Sequence, residues 1–184
     1  MFTSCGYNDL VKLDEGADSQ WANVENAYKR RADLVPNLVK TVQGAADFEK
    51  ETLESVIEAR AKATSTTIDP SNASPEQIQQ FLSAQDGLSS ALGKLMVVVE
   101  RYPELKANAN FLDLQSQLEG TENRISTERN RFNGAVKDYN SYRREFPQVI
   151  YSGIMGFKDK SYFEATDADM ENPEVEFDFG SDDD

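Results

Sequence analysis

The sequence predicts an all-α protein, an antiparallel up-and-down four-helix bundle that ends in a non-helical acidic C-terminal tail. Three observations lead there. Apolar residues recur at alternating three- and four-residue steps along most of the chain, the spacing of an amphipathic helix. Glycine and proline are few, 10 and 6 among 184 residues, while Ala, Glu, Leu, Gln, Lys and Arg are spread throughout, a composition that favours helices. The stripes also fall into four segments of comparable length, which suit antiparallel neighbours joined by short connections. By length this is one domain, large enough to bury a single core without disulfides.

The first segment, residues 7–35, carries Leu10, Ala17, Trp21, Val24, Tyr28 and Val35, with Asp14 and Arg31 at the remaining seam positions. Pro36 follows inside KRRADLVPNLVKTV. Proline has no N–H to donate, and its ring disfavours a helical conformation at Val35. The chain must therefore kink here or turn back. A turn is expected, because one continuous helix would leave half its stripe without a partner of similar length. Pro36 suits the first turn of the new helix, residues 36–64, with Leu38, Val42, Ala45, Val56, Ala59 and Ala63 on its stripe.

STTIDPSNASP, residues 65–75, is a loop by composition. Ser74 then serves as N-cap and Pro75 as the first helical residue of a third helix, 75–101. Its stripe includes Ile78, Phe81, Leu82, Leu88, Leu92, Leu95 and Val99, and Pro103 interrupts it. The fourth helix, 104–146, holds an a/d alternation from Phe111 to Phe146 that only Thr121 and Glu128 break. A strict 3.5-residue repeat indicates left-handed, coiled-coil-like packing.

After Pro147 the pattern changes. Residues 148–179 are apolar in places but lack helical periodicity, so they are expected to pack as an extended segment across one end or side of the bundle. Val175, Phe177 and Phe179 alternate with acidic residues there, and residues 180–184 are expected to be a disordered acidic end.

The net charge of −14 is unevenly placed. Residues 164–184 hold ten acidic and no basic side chains, leaving −4 for the remainder. Neither part offers a basic stripe to neutralise phosphates, which argues against a nucleic-acid partner. With no histidine and one cysteine, a Cys/His zinc site, a Glu-x-x-His di-iron site and His-activated nucleophiles are excluded. No metal or cofactor is expected; the acidic tail lacks the spacing of a calcium loop.

No apolar run approaches the ~18 residues of a membrane span. Residues 1–6, MFTSCG, are nonetheless unusual. They resemble the end of a bacterial lipoprotein signal with Cys5 as the acylated residue, or the stub of a membrane anchor. An incidental thiol at a frayed terminus is the plainer reading.

Several stretches together resemble the LemA family: YNDLV at 7–11, KRRADLVPNLVKTVQG at 29–44, EKETLESVIEARAKA at 49–63 and LEGTENRISTERNRFNGAVKDYN at 118–140. FP at 146–147, GF at 156–157 and YFEA at 162–165 continue the likeness in order. The resemblance implies a bacterial protein anchored by an N-terminal membrane segment, followed by an antiparallel four-helix domain, with no established biochemical activity. It places the bundle on an aqueous face at the bacterial cell membrane, on either side.

The polar groups allow two kinds of function. Arg30, Arg31 and Asp33 at the expected turn suit a charged junction, paired with each other or with Glu119 and Glu122. The alternative is an anion site at the N-terminus of the second helix, but cationic side chains near a helix C-terminus favour the junction. Glu49, Arg60, Thr121 and Glu128 lie at or beside the seam, where polar groups usually fix register. Asn123, Asn133 and Asn140 fall near one face of the fourth helix, as interhelical hydrogen bonds or as a polar groove that receives a partner peptide. The reading is a membrane-linked scaffold or adaptor with a protein partner. The alternative is a ligand-sensing or hydrolytic bundle, which requires Glu49, Arg60, Glu122 and Glu128 to converge on a concave site.

Overall fold

The computed structural model describes residues 3–45, 48–69 and 73–163, and these are all-α. Six helices follow one another: α1 (Thr3–Gln43), α2 (Lys50–Ser65), α3 (Pro75–Val99), α4 (Pro103–Lys106), α5 (Ala109–Arg144) and α6 (Gln148–Met155). Residues 164–184, and with them the tail and its Val175, Phe177 and Phe179 pattern, lie outside the described residues.

The expected turn at Pro36 is not there. The helix runs through the proline for 41 residues and ends at Gln43, so the break falls beyond Gly44. A proline at 36 deprives the carbonyl of Ala32, four residues earlier, of its helical donor. Arg60 on α2 supplies the substitute: its Nε donates to Ala32 O at 2.8 Å. The freed carbonyl is thus satisfied from a neighbouring helix, and α1 continues. α2 is correspondingly short, 16 residues.

Removing the guanidinium, as in Arg60→Met, leaves a partly buried carbonyl unpaired and should destabilise the fold by about 1–3 kcal/mol. In a Pro36→Ala background the restored N–H can serve Ala32, so the same change should cost well under ~1 kcal/mol. Urea denaturation of the four proteins checks this coupling.

α1 and α5 form the long antiparallel pair. Asp9 meets Tyr142, Trp21 meets Phe132 and Arg31 meets Glu122, a pairing that runs in opposite directions along the two helices. α2 packs on α3 and on the C-terminal part of α1. Along one stretch, Leu38, Val42, Val56, Leu88, Leu95, Phe111 and their neighbours make a core fed by five helices. A second core surrounds Trp21 with Phe81, Ile125, Phe132 and Val136, and its last member is Phe163 from beyond α6.

Local signals set the other boundaries. Ser74 caps α3 in a full capping box with Gln77, and Pro75 opens the helix. Asn108 accepts from Asn110 N and Phe111 N to begin α5. Residues 148–155 form a helix rather than the expected extended chain. Two turns that are apolar on most sides leave no stripe for periodicity to detect. Gly156 ends α6 at φ 78°, a left-handed conformation that glycine adopts without a Cβ clash.

Candidate functional site

Arg31 is the most deeply buried charge among the described residues, 1 % exposed. It occupies a seam position of α1, so its side chain points between the other helices. Nη1 donates to Ser89 Oγ on α3 and to Glu122 Oε2 on α5 at 2.9 Å. Nη2 donates to the Gln85 carbonyl at 3.0 Å and to Gln85 Oε1 at 2.9 Å. Gln85 Nε2 in turn donates to Ala63 O near the end of α2. The guanidinium also lies 5.2 Å from the centre of the Tyr28 ring, and burial pushes the Tyr28 hydroxyl up to about 12. Arg31 thereby ties α1 to α3 and α5, and Gln85 extends the tie to α2.

The predicted charged junction is therefore real at Arg31 and Glu122, but it sits in mid-helix rather than at a turn. Its fork is taken up by protein groups, with only Nε lacking a partner. Arg30 points outward and donates to Gln117 Oε1 at 3.1 Å. Arg30 and Asp33 face an open surface groove of about 470 Å³ with Asn37, Lys40, Asp113 and Gln117. Because α1 continues through Pro36, the N-terminus of a second helix at residue 36, on which the anion-site reading rests, is not present.

The remaining seam groups do not converge. Glu49 pairs with Arg101 at 2.7 Å. Arg60 serves Ala32. Thr121 donates to the Gln117 carbonyl four residues before it. Glu128 is buried, with Oε1 held by Arg131 at 3.1 Å and by Arg124 at 3.8 Å, and with Oε2 unpaired. Among the described residues no cluster of three or more His, Cys, Asp or Glu could hold a metal ion.

The asparagines of α5 separate into two roles. Asn123 is exposed. Asn133 and Asn140 instead grip the segment that follows α6. Asn140 Nδ2 donates to Lys160 O at 2.9 Å, and its Oδ1 accepts from Lys160 N at 3.0 Å. Asn133 repeats the pattern with Phe163, at 2.9 and 2.8 Å. The Tyr139 hydroxyl donates to Lys158 O at 2.9 Å. Residues 157–163 form a strap along α5, laid into the groove between α5 and α1.

The strap's own side chains complete the seat. Lys160 Nζ lies 2.9 Å from Asp14 and 2.6 Å from Asp18, both on α1. Phe163 stacks on Trp21 with ring centres 5.3 Å apart and planes 17° apart, and Phe132 closes the slot at 5.1 Å. Sequence reasoning found the asparagines, the seam position of Asp14 and Phe163 as an apolar residue packed on the bundle, but it missed Lys160 and Asp18. The available signal was the one-heptad interval between Asn133 and Asn140.

Burial alone lowers the Lys160 pKa, yet the hydrogen bonds and charges of Asp18 and Asp14 outweigh it, and the net shift is upward. Tyr139, beside it, is pushed up to about 12 by burial first and by Asp14 next. Arg143 and Asp159 also face this cluster. A group whose pKa rises on folding stabilises the fold below its unfolded value and loses that contribution as pH climbs through its folded value. The strap should therefore be indifferent to pH across neutrality and loosen above about pH 10.5, the free lysine range. Trp21 is the single tryptophan, so its emission should shift red in alkali before helical circular dichroism falls.

No helix among the described residues is long and apolar enough to cross a membrane. Cys5 lies in the first turns of α1, and its side chain is outside the described residues. Residues 20–177 match the model of the LemA family. The chain is 28 % identical over 175 residues to "Magnetosome protein MamQ 2" of Paramagnetospirillum magneticum, covering 86 % of this chain and 64 % of that protein. It is 28 % identical over 174 residues to "Magnetosome protein MamQ" of Magnetospirillum gryphiswaldense, covering 85 % and 64 %. "Protein LemA" of Metamycoplasma hominis is 25 % identical over 145 residues, covering 79 % and 59 %. The chain thus spans less than two thirds of the length of these relatives. A match that takes in both the Arg31 junction and the strap, over most of the chain, places the protein in the LemA family.

Proposed function

We propose that the protein is a helical scaffold apposed to a bacterial membrane, acting through protein contacts at the cell envelope rather than through chemistry of its own. The observation that carries this reading is α6. Its sequence, QVIYSGIM, has no charged residue, and it presents Ile154 at 76 % and Met155 at 60 % exposure, next to Phe146 at 81 %. Val149 and Ile150 are also exposed. A contiguous apolar surface of this kind marks a protein or membrane contact. Lys158 and Arg144 flank it, with Arg144 and the more buried Arg143 both paired to Asp159, and cations beside an apolar helix favour anionic headgroups.

This surface lies at the end of the molecule where α1 begins. Gln148 Nε2 lies 3.5 Å from where a Cβ at Gly6 would stand, and the Tyr7 and Phe157 rings are 6.1 Å apart. A membrane attachment through the N-terminal side would therefore bring α6 to the lipid surface. The four-helix packing around Arg31 then projects away from the lipid as a stiff antiparallel body. The spread of Glu49, Arg60, Glu122 and Glu128 over separate partners supports a scaffold over a hydrolytic site. The magnetosome proteins among the relatives fit a role at a cellular membrane.

Vesicle co-flotation of the 184-residue chain tests the reading. The chain should float with vesicles of phosphatidylglycerol and phosphatidylethanolamine. Ile150→Asp with Ile154→Asp should lower the bound fraction at least tenfold, since each inserted aliphatic side chain contributes about 1.5–3 kcal/mol. Equal flotation of parent and variant, or none by the parent, would contradict it.

A further inference from the structure

We propose that the groove between α1 and α5 is a recognition site for an extended peptide carrying a lysine three residues before a phenylalanine, and that residues 157–163 are its resident occupant. This deepens the adaptor reading by giving the partner a chemistry. It rests on that reading only for its biological use.

The geometry is matched at three levels. Asn133 and Asn140 are one heptad apart, about 10.5 Å along a helix. Lys160 and Phe163 are three residues apart, about 10 Å along an extended chain. Each asparagine therefore meets a main-chain N–H and C=O pair in the same way, with all four contacts between 2.8 and 3.0 Å. These contacts engage the backbone and are blind to side chains, as in strand addition to a sheet edge.

Side-chain selectivity comes from two pockets between the asparagine contacts. The first is acidic: Asp14 and Asp18 hold a cation, with the Tyr139 ring 5.5 Å from Lys160 Nζ. The second is an aromatic slot made by Trp21 and Phe132, with the Arg129 guanidinium 5.5 Å from the Phe163 ring centre. Between them Ser161 is half-buried and Tyr162 is exposed, so the two intervening positions are free to vary. The specification is Lys-x-x-Phe in extended form.

Every recognising side chain is on α1 or α5, and none is on the strap. The occupant is joined to α6 through Gly156, whose φ of 78° marks a sharp change of direction. A tethered occupant acts at millimolar effective concentration. A partner's peptide therefore meets an intramolecular competitor, and binding in trans becomes measurable when the tethered copy is weakened.

The test uses the full chain with Lys160→Ala and Phe163→Ala, and a fluorescein-labelled peptide of sequence FKDKSYF. Fluorescence anisotropy should show saturable binding at least tenfold tighter than to the parent chain. Binding should vanish with the peptide FKDASYA. It should vanish again when Asn133→Ala and Asn140→Ala are added while circular dichroism stays helical. A folded double variant that does not bind, or parent and variant that bind alike, would overturn the proposal. Should the double variant fail to fold, Lys160→Ala alone keeps the aromatic core and should still bind more tightly than the parent; equal binding there overturns it too. The vesicle assay addresses α6 and can fail without changing this outcome.

Discussion

Replacing Trp21 by alanine is expected to destabilise the protein by about 3–5 kcal/mol, the range for deleting a buried aromatic from a core. Trp21 is 2 % exposed and touches rings from three other parts of the chain: Phe81 on α3, Phe132 on α5 and Phe163 on the strap. Its loss opens a cavity where those three meet, and it removes the face on which the strap ends. Strap and helices should therefore loosen together. Because the fluorophore is lost with the side chain, urea denaturation followed by far-UV circular dichroism is the appropriate measurement. Trp21→Phe, which keeps an aromatic face, should cost markedly less. The Trp21 Nε1 has no hydrogen-bond partner, so phenylalanine forfeits volume and no bond.

Arg31→Met is the second large effect, expected at about 2–4 kcal/mol, since it leaves the buried Gln85 Oε1 without its donor and removes charge-assisted bonds across three helices. Methionine keeps most of the stem's packing, so the loss reports the fork rather than the volume. The partner substitution should behave very differently. The Glu122 side chain is 53 % exposed, and Glu122→Gln should cost under ~1 kcal/mol because solvent already screens that end of the pair. The asymmetry separates a buried hydrogen-bond hub from an ordinary salt bridge. Equal effects at the two positions would mean that the ion pair, and not the fork, joins the helices.

Much of the fold was legible where the determinant is local. Ser74 and Pro75 announce α3 through capping chemistry confined to four residues, and the seam of α5 follows its own repeat from Phe111 to Phe132, whereas Val136 rather than Ala135 is buried and Phe146 stands exposed past the helix end. Pro36 is the opposite case. Whether a proline breaks a helix depends on what becomes of the carbonyl four residues before it. Here the answer lies on Arg60, 28 residues further along. No local pattern reports a compensation made by another helix. The same limit applies to α6, too short to show a period, and to the strap, whose register comes from two asparagines on a different element.

The candidate site divides along the same line. Arg31 and Glu122 were recognisable as possible partners because seam positions bring charges face to face. Asn140 and Asn133 were recognisable as polar groups on one face. That they hold the chain's own segment, rather than a neighbouring helix, depends on where the second layer of helices gives out. Ile78 and Phe81, near the start of α3, pack in the core around Trp21, and farther toward the start of α1 Lys160 of the strap meets Asp14 and Asp18.

The continuity of α1 through Pro36 carries the chain from the α6 end, past the strap groove and the Arg31 junction, to Gln43. Double electron–electron resonance between spin labels at Glu15 and Gln43, both exposed, tests it in a Cys5→Ser background. A continuous helix predicts a single narrow distance near 42 Å between the backbone sites, at 1.5 Å per residue. A chain that folds back at Pro36 would place the two sites about 20–25 Å apart, since the seven residues after the proline would retrace the helix. A dominant population at that shorter distance would contradict the account.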